Sequence, residues 1–466
     1  MRGKGIALAT LLCAVVAIAP SANARVGPGS LDAGFGRDGV STVDLPGKDM
    51  AWRSAIQRDG KVVLAGVSGG HLAVVRLLQG GGVDHGFAQD GVRIVRLGAT
   101  AGPTGVGIAS DGSIVVGAYV ESPRTYTGDR SADGVAQVAV DGLRVALVKL
   151  RPDGRFDQSF GQRGIVRTQT DAVYPADDVP IDVAVLPDGR VVVLTITGAS
   201  FGYFGYPSAI ALMGFTARGE RDTSFGVGGV APASYAGALP GAAELAVQRD
   251  GKLVVVANEH EVSFATFFPV FFIGQFAPWA AERYALPGDI AVFRYLSNGV
   301  PDPTFGVAGV ASVDLSPGTD NVQGVALQPD GNILVHGQGL AESGFVSVMA
   351  RLTSTGALDP TFGNGGRAVY RVREYSSMRD VVVQRDGRIV AAMVAYSRRT
   401  RHNSGDLIAR FESDGSLDPT FGSDGMVEVP LGQALLMGVR LQGRRIIGYG
   451  AGAEGPQKFA AVAVTS

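Results

Sequence analysis

One short pattern returns along this chain often enough to dictate its fold. Asp-Gly pairs flanked by alternating Val, Ile, Leu and Ala stand at Asp59-Gly60, Asp111-Gly112, Asp188-Gly189, Asp250-Gly251, Asp330-Gly331 and Asp386-Gly387. Glycine accepts the positive φ that a tight hairpin turn demands, so each pair predicts a turn between two strands. A seventh, degenerate copy reads Leu441-Gln442-Gly443-Arg444-Arg445. A second signature, Leu31-Asp32-Ala33-Gly34-Phe35-Gly36, recurs around Phe87, Phe160, Phe225, Phe305, Phe362 and Phe421. Seven hairpins alternating with seven Phe corners make seven units.

Each unit reads as four short strands: one before the Asp-Gly, one after it, a third such as Ile290 to Arg294, and a fourth after the Phe corner such as Val310 to Val313. A lone four-stranded sheet cannot bury both of its faces, and radial repetition of such sheets describes a β-propeller. The ends support closure. The chain beyond residue 24 opens with a Phe corner and a fourth-type strand, Gly39 to Leu45, whereas the C-terminus supplies three strands ending at Val464 with no corner. The fold expected is therefore all-β: a seven-bladed β-propeller of four-stranded antiparallel blades, closed by a composite blade from both termini. Composition agrees, with 68 glycines and 18% charged residues in 466.

At this point the residues carry a resemblance. Leu358 to Gly363 and Leu417 to Gly422, both Leu-Asp-Pro-Thr-Phe-Gly, together with Val247 to Lys252, resemble the delta-60 repeats of bacterial exported proteins. That resemblance implies β-propeller units of unknown function and brings no catalytic residues with it. Departures are Ala88 in place of the corner glycine and Gln442 in place of the turn aspartate.

Residues 1–24 read as a signal peptide: Arg2 and Lys4, an apolar stretch from Ile6 to about Ile18, then Ala22-Asn23-Ala24. The expected products are an exported chain, periplasmic, cell-surface or extracellular, and a single domain over 25–466. Cys13 is the only cysteine and lies within the leader, so thiol chemistry is excluded from the mature chain. The formal charge of -2 and the lack of a basic cluster give no footprint for nucleic acid.

The recurring aspartates, Asp32, Asp84, Asp157, Asp222, Asp302, Asp359 and Asp418, stand one per unit and are expected to cap local turns. The Phe that follows each is expected to plug the seam between blades, and Arg76, Arg294, Arg351 and Arg410 to pair with nearby acids. Gly198-Ala199-Ser200-Phe201-Gly202 matches a hydrolase nucleophile pattern but lacks the following helix. The five histidines show no metal-ligand spacing. No catalytic residue, metal ligand or cofactor is assigned.

The blades differ in their insertions, near 119–142, 198–209, 258–288 and 396–405, which all fall on one face of an up-and-down propeller. The insertion at 258–288 places Phe264, Phe267, Phe268, Phe271, Phe272 and Phe276 within 13 residues, followed by Trp279 and Tyr284. Leaving all six phenylalanines in water would forgo on the order of 10 kcal/mol. The neighbouring insertion carries Phe201, Tyr203, Phe204 and Tyr206. The aromatic set Phe201, Tyr203, Phe204, Tyr206, Phe267, Phe268, Phe271, Phe272 and Trp279 is the candidate surface for a protein, glycan or lipid partner, although a satellite core over the propeller mouth would also cover it. Pro269 and Pro278 argue against a membrane span there, and a monomer without a transmembrane helix is expected. The leading expectation is a non-enzymatic binding or scaffold propeller. A lyase- or lactonase-like enzyme with a site at the channel mouth, or a cell-surface structural module, are the alternatives.

Overall fold

A computed structural model describes residues 27–47, 49–98, 101–121, 143–168, 177–199, 209–232, 243–258, 290–316, 320–341, 344–372, 375–396, 403–430, 436–452 and 458–466. Among them are seven four-stranded antiparallel sheets, each hydrogen-bonded in simple strand sequence. The inner strands of blades 1 to 7 are Asp49–Ile56, Ala101–Ile108, Asp177–Val185, Ala243–Val247, Asp320–Leu327, Tyr375–Val383 and Leu436–Gln442. Each inner strand touches the inner strands on both sides, with the seventh returning to the first, so the ring closes around an axis.

The composite blade is present. Strand Val40–Val43 pairs with strand Lys458–Thr465 in the register Val40↔Val462, Ser41↔Ala461, Thr42↔Ala460 and Val43↔Phe459. The N-terminus thus supplies the outermost strand of a blade whose other three strands come from the C-terminus. Across the closing seam, Gln442 Nε2 donates to the Gly60 carbonyl at 2.6 Å, the bond that Gln57 makes to Gly112 at 2.9 Å between blades 1 and 2.

Local chemistry builds the repeat. In the first hairpin the Gln57 amide donates to Lys61 O and the Gly60 amide to Gln57 O, with Gly60 at φ 81°, which is a three-residue loop ending in a left-handed glycine. Blade 7 departs from this: its degenerate turn has two residues, Gly443 and Arg444, between the paired Gln442 and Arg445. The core lies between blades rather than within them. Seven apolar clusters occupy the seven seams, and each draws residues from two adjacent blades, as where Val254, Val256 and Val292 of blade 4 meet Val322, Val335 and Val348 of blade 5. Ridding both faces of every sheet from water in this way is what a lone blade cannot do.

Candidate functional site

The recurring polar residues form the frame. Each of the seven aspartates accepts a hydrogen bond from the amide two residues on, from Asp32 to Gly34 at 2.9 Å through Asp418 to Thr420 at 2.9 Å. All seven corner phenylalanines are fully buried, and each ring whose neighbours are described lies against the turn of the next blade, as Phe225 does against Gly299. Arg76, Arg294, Arg351 and Arg410 bond to their own blade's aspartate at 2.7–2.9 Å and sit over the corner ring. Lys149 fills this place in blade 2. Blades 3 and 7 carry Gly214 and Ala463 there, and the cation comes instead from the start of the second strand, Arg190 to Asp222 and Arg445 to Asp32. These groups satisfy one another within each blade, which accounts for them as structure.

A different set converges on the axis. Six inner strands carry a register shift at one height, between Ala51 and Arg53, Pro103 and Gly105, Pro180 and Asp182, Val322 and Gly324, Met378 and Asp380, and Leu436 and Gly438. Such a bulge re-aims side chains near a site. The residue that follows it, with its counterpart Glu244 in blade 4, forms a ring reading Arg53, Gly105, Asp182, Glu244, Gly324, Asp380 and Gly438.

The three acids are held by one device. Each carboxylate accepts a hydrogen bond from the amide just after the ring position of the next blade: Asp182 from Leu245 at 3.2 Å, Glu244 from Val325 at 2.6 Å and Asp380 from Val439 at 2.9 Å. The ring glycines make the room. A Cβ on Gly105 would meet the Asp182 carboxylate, one on Gly324 the Glu244 carboxyl and the His336 ring, and one on Gly438 the Asp380 carboxylate and the Tyr449 hydroxyl. His336 and Tyr449 reach these spaces because they pair directly with Gly324 and Gly438 from the second strands.

Two guanidiniums complete the cluster. Arg440 pairs with Asp380 at 2.6 Å, donates to Ser54 O across the closing seam at 2.9 Å, and lies over the Tyr449 ring. Arg53 donates to Thr104 O and Trp52 O. The group is deep in the molecule, yet solvent reaches it along the axis: Glu244 is half-buried, 27% of the Arg440 side chain is accessible, and Trp52 is 38% exposed.

This setting splits the protonation states. Desolvation, with Asp380 and Asp182 nearby, pushes Glu244 up to about 8, so its carboxyl is protonated at neutral pH. Desolvation also raises Asp182 to about 6, against the opposing pull of Arg53. His336 is driven down to about 4 by burial and is neutral. Asp380 and then the Met378 backbone favour the protonated ring against this, but neither ring nitrogen meets hydrogen-bond geometry with any described group. Chemically, the cluster offers a neutral carboxylic acid beside a neutral imidazole, framed by two arginines. No group of three or more metal-ligating side chains occurs among the described residues.

None of the aromatic residues expected to contact a partner, Phe201, Tyr203, Phe204, Tyr206, Phe267, Phe268, Phe271, Phe272 and Trp279, falls within the described residues. The leader at 1–24, the nucleophile-like Ser200 and most of each large insertion lie outside them as well. The axial cluster, in turn, was missed by motif reading. The signal for it was a count: the ring residue stands four positions before Gln57, Ala109, Leu186, Gln248, Gln328, Gln384 and Gln442, the residues that open the hairpin loops. No described helix is long and apolar enough to cross a membrane.

Fold and repeats define the class: a seven-bladed β-propeller assembled from tandem repeats. Three segments, 57–87, 328–362 and 384–421, match a family model described as "Domain of unknown function (DUF5122) beta-propeller", so these stretches are similar to the repeats of a β-propeller family without assigned function. No curated protein shows significant similarity. Among solved structures, the chain is similar to polysaccharide lyase Uly1, with 9% identity, TM-score 0.44 and coverage of 89% of this chain and 90% of that one. It is also similar to a protein of unknown function from Dyadobacter fermentans, with 12% identity, TM-score 0.41 and coverage of 92% and 99%. YCF48 from Cyanidioschyzon merolae follows at 10% identity, TM-score 0.43 and coverage of 91% and 98%. Likenesses this distant carry no argument about what the present chain binds or does.

Proposed function

We propose that this protein is an exported binding propeller that holds a small ligand on its axis, with the aromatic insertions around 201–206 and 264–284 contributing a partner-facing surface. The observation that carries the reading is the convergence of Arg53, Asp182, Glu244, His336, Asp380 and Arg440 from six blades, with Glu244 and Arg440 partly accessible to solvent. Convergent polar groups in a pre-formed concavity are the usual mark of a ligand site. The recurring aspartates and their cations satisfy one another, whereas this cluster has hydrogen-bonding capacity to spare. Export and the finer kinship with delta-60 repeats rest on the sequence and belong to the same proposal.

The test is a thermal-shift screen of the purified chain against sugars, sugar acids, amino acids and polyamines. A ligand that stabilises the wild type and not His336→Ala is the expected result; no stabilising ligand in any class overturns the axial reading. The aromatic surface is tested separately, by pull-down with Phe267→Ser combined with Phe271→Ser. Loss of partner capture with an intact β fold is expected, and unchanged capture removes that surface from the proposal.

One observation favours a second reading, an enzyme. A protonated Glu244 beside an unprotonated His336 is the pairing that general acid-base catalysis requires. Turnover of a ligand found in the screen, abolished by both Glu244→Gln and His336→Ala, would establish it; bound ligand recovered unchanged would exclude it.

A further inference from the structure

We infer that the axial site takes a neutral, polyhydroxylated ligand, a sugar, with Glu244 and His336 as the pair that engages its hydroxyls and Trp52 as the face it lies against. This deepens the binding reading above and rests on it.

The first argument is an unmet need. His336 is 1% exposed, and apart from the Met378 backbone nearby neither ring nitrogen has a polar group within hydrogen-bond geometry among the described residues. A buried polar group left in that state is destabilising until something pairs with it. Its Nε2 lies 2.6 Å from where a Cβ on Gly324 would stand, in the same space as the Glu244 carboxyl. Gly324 keeps that space open to both side chains, so the imidazole is aimed at the half-exposed acid rather than into the seam core. An incoming hydroxyl can donate to the one nitrogen that lacks a proton and accept from the acid.

The second argument is charge. The groups facing Glu244 from the surrounding elements are Asp182 from blade 3, His336 from blade 5, Asp380 from blade 6, and Arg440 and Tyr449 from blade 7, while Arg53 from blade 1 acts on Asp182 and Tyr449. At neutral pH the two guanidiniums are balanced by the carboxylates of Asp182 and Asp380, while Glu244, His336 and Tyr449 are uncharged. A ligand ion entering this balanced, poorly solvated setting would leave an uncompensated charge, whereas a neutral polyol would not. The third argument is surface. Trp52, the bulged residue beside Arg53 at mid-height of an inner strand, is 38% exposed. An indole there presents an apolar face of the size of a pyranose ring, with a polar edge.

The experiment is isothermal titration of the full mature chain at pH 7 with neutral hexoses and disaccharides, and with D-glucuronate and D-glucosamine as charged counterparts. Saturable binding of at least one neutral sugar is expected, with the charged counterparts weaker by about tenfold or more. His336→Ala should weaken that binding by about tenfold or more. Raising the pH from 7 to 9 should weaken it in the wild type but not in Glu244→Gln, which keeps an uncharged donor at all pH values. Circular dichroism of each variant verifies folding. Tighter binding of a charged counterpart that is still lost in His336→Ala overturns the ligand class and leaves the axial site standing. Absence of binding by every probe, or binding indifferent to His336→Ala, overturns the axial site together with the ligand class.

Discussion

The carboxyl group of Glu244 occupies the volume that any side chain on Gly324 would need, and its Oε2 accepts a 2.6 Å hydrogen bond from the next amide, that of Val325. A residue of blade 4 is thereby seated in a vacancy of blade 5. Gly324→Ala should displace both this carboxyl and the His336 ring. The expected loss is about 1–3 kcal/mol of stability, the usual range for overpacking a filled interior, together with loss of axial ligand binding. Denaturant titration and calorimetry read the two effects. An unchanged midpoint would show that the carboxyl moves without resistance.

Glu244 also makes stability depend on pH with a definite sign. Its folded-state value of about 8 lies above the ordinary 4.5, so the folded chain binds the proton more tightly than the unfolded one. That contribution is complete below pH 4.5 and is lost as pH rises through 8. Asp182 and Asp320, both raised to about 6, act in the same direction at lower pH, so the interval from pH 7 to 9 isolates Glu244. Melting temperature should fall across that interval in the wild type and stay nearly flat in Glu244→Gln; equal slopes would contradict the assignment.

The corner ion pairs should differ in weight with their burial. Asp302 is 1% exposed and bonded to Arg294 at 2.8 Å and Lys252 at 3.2 Å; against desolvation, hydrogen bonds from the Thr304 hydroxyl and amide, then Lys252 and Arg294, hold its carboxyl far below the ordinary range. Asp302→Ala would leave Arg294 buried without its counter-ion, at a loss of about 3–5 kcal/mol. Asp32→Ala at the closing blade, where the Asp32 side chain is 23% exposed, should be milder. Urea titration of the two variants side by side gives the ordering, and the reverse ordering would refute it.

Ala88 stands where the other six corners have glycine, and it is held at φ 51°. A left-handed alanine carries roughly 1 kcal/mol of strain that glycine does not. Ala88→Gly should therefore raise stability only slightly, by up to about 0.5 kcal/mol, after allowance for the greater freedom of glycine in the unfolded chain. A lower melting temperature would mean that the Ala88 methyl is needed in the seam beside Phe87.

What the sequence made legible was local and repeated. The turn glycines, the capped aspartates and the buried corner phenylalanines each follow from a few adjacent residues, and seven copies leave little room for another fold. Composite closure was legible too, because the strands missing at one end are present at the other. The axial cluster was not, for a physical reason. Each blade gives its ring a single residue, those residues differ in kind, and three of them are glycine. Their meaning appears only when Asp182, Glu244 and Asp380 are seated across seams, and when register sets His336 opposite Gly324 and Tyr449 opposite Gly438. The third ring glycine, Gly105, pairs with Gly117 and shows no such substitute from its own blade.

The pairing of Val40 with Val462 sets a limit on when this molecule can become itself. During synthesis the earliest strand has no edge to join until the last one emerges, so six wedges wait with two raw seams facing water. Those seams hold two of the seven apolar clusters. Until strand Lys458–Thr465 emerges, the arc keeps both of those seams uncovered.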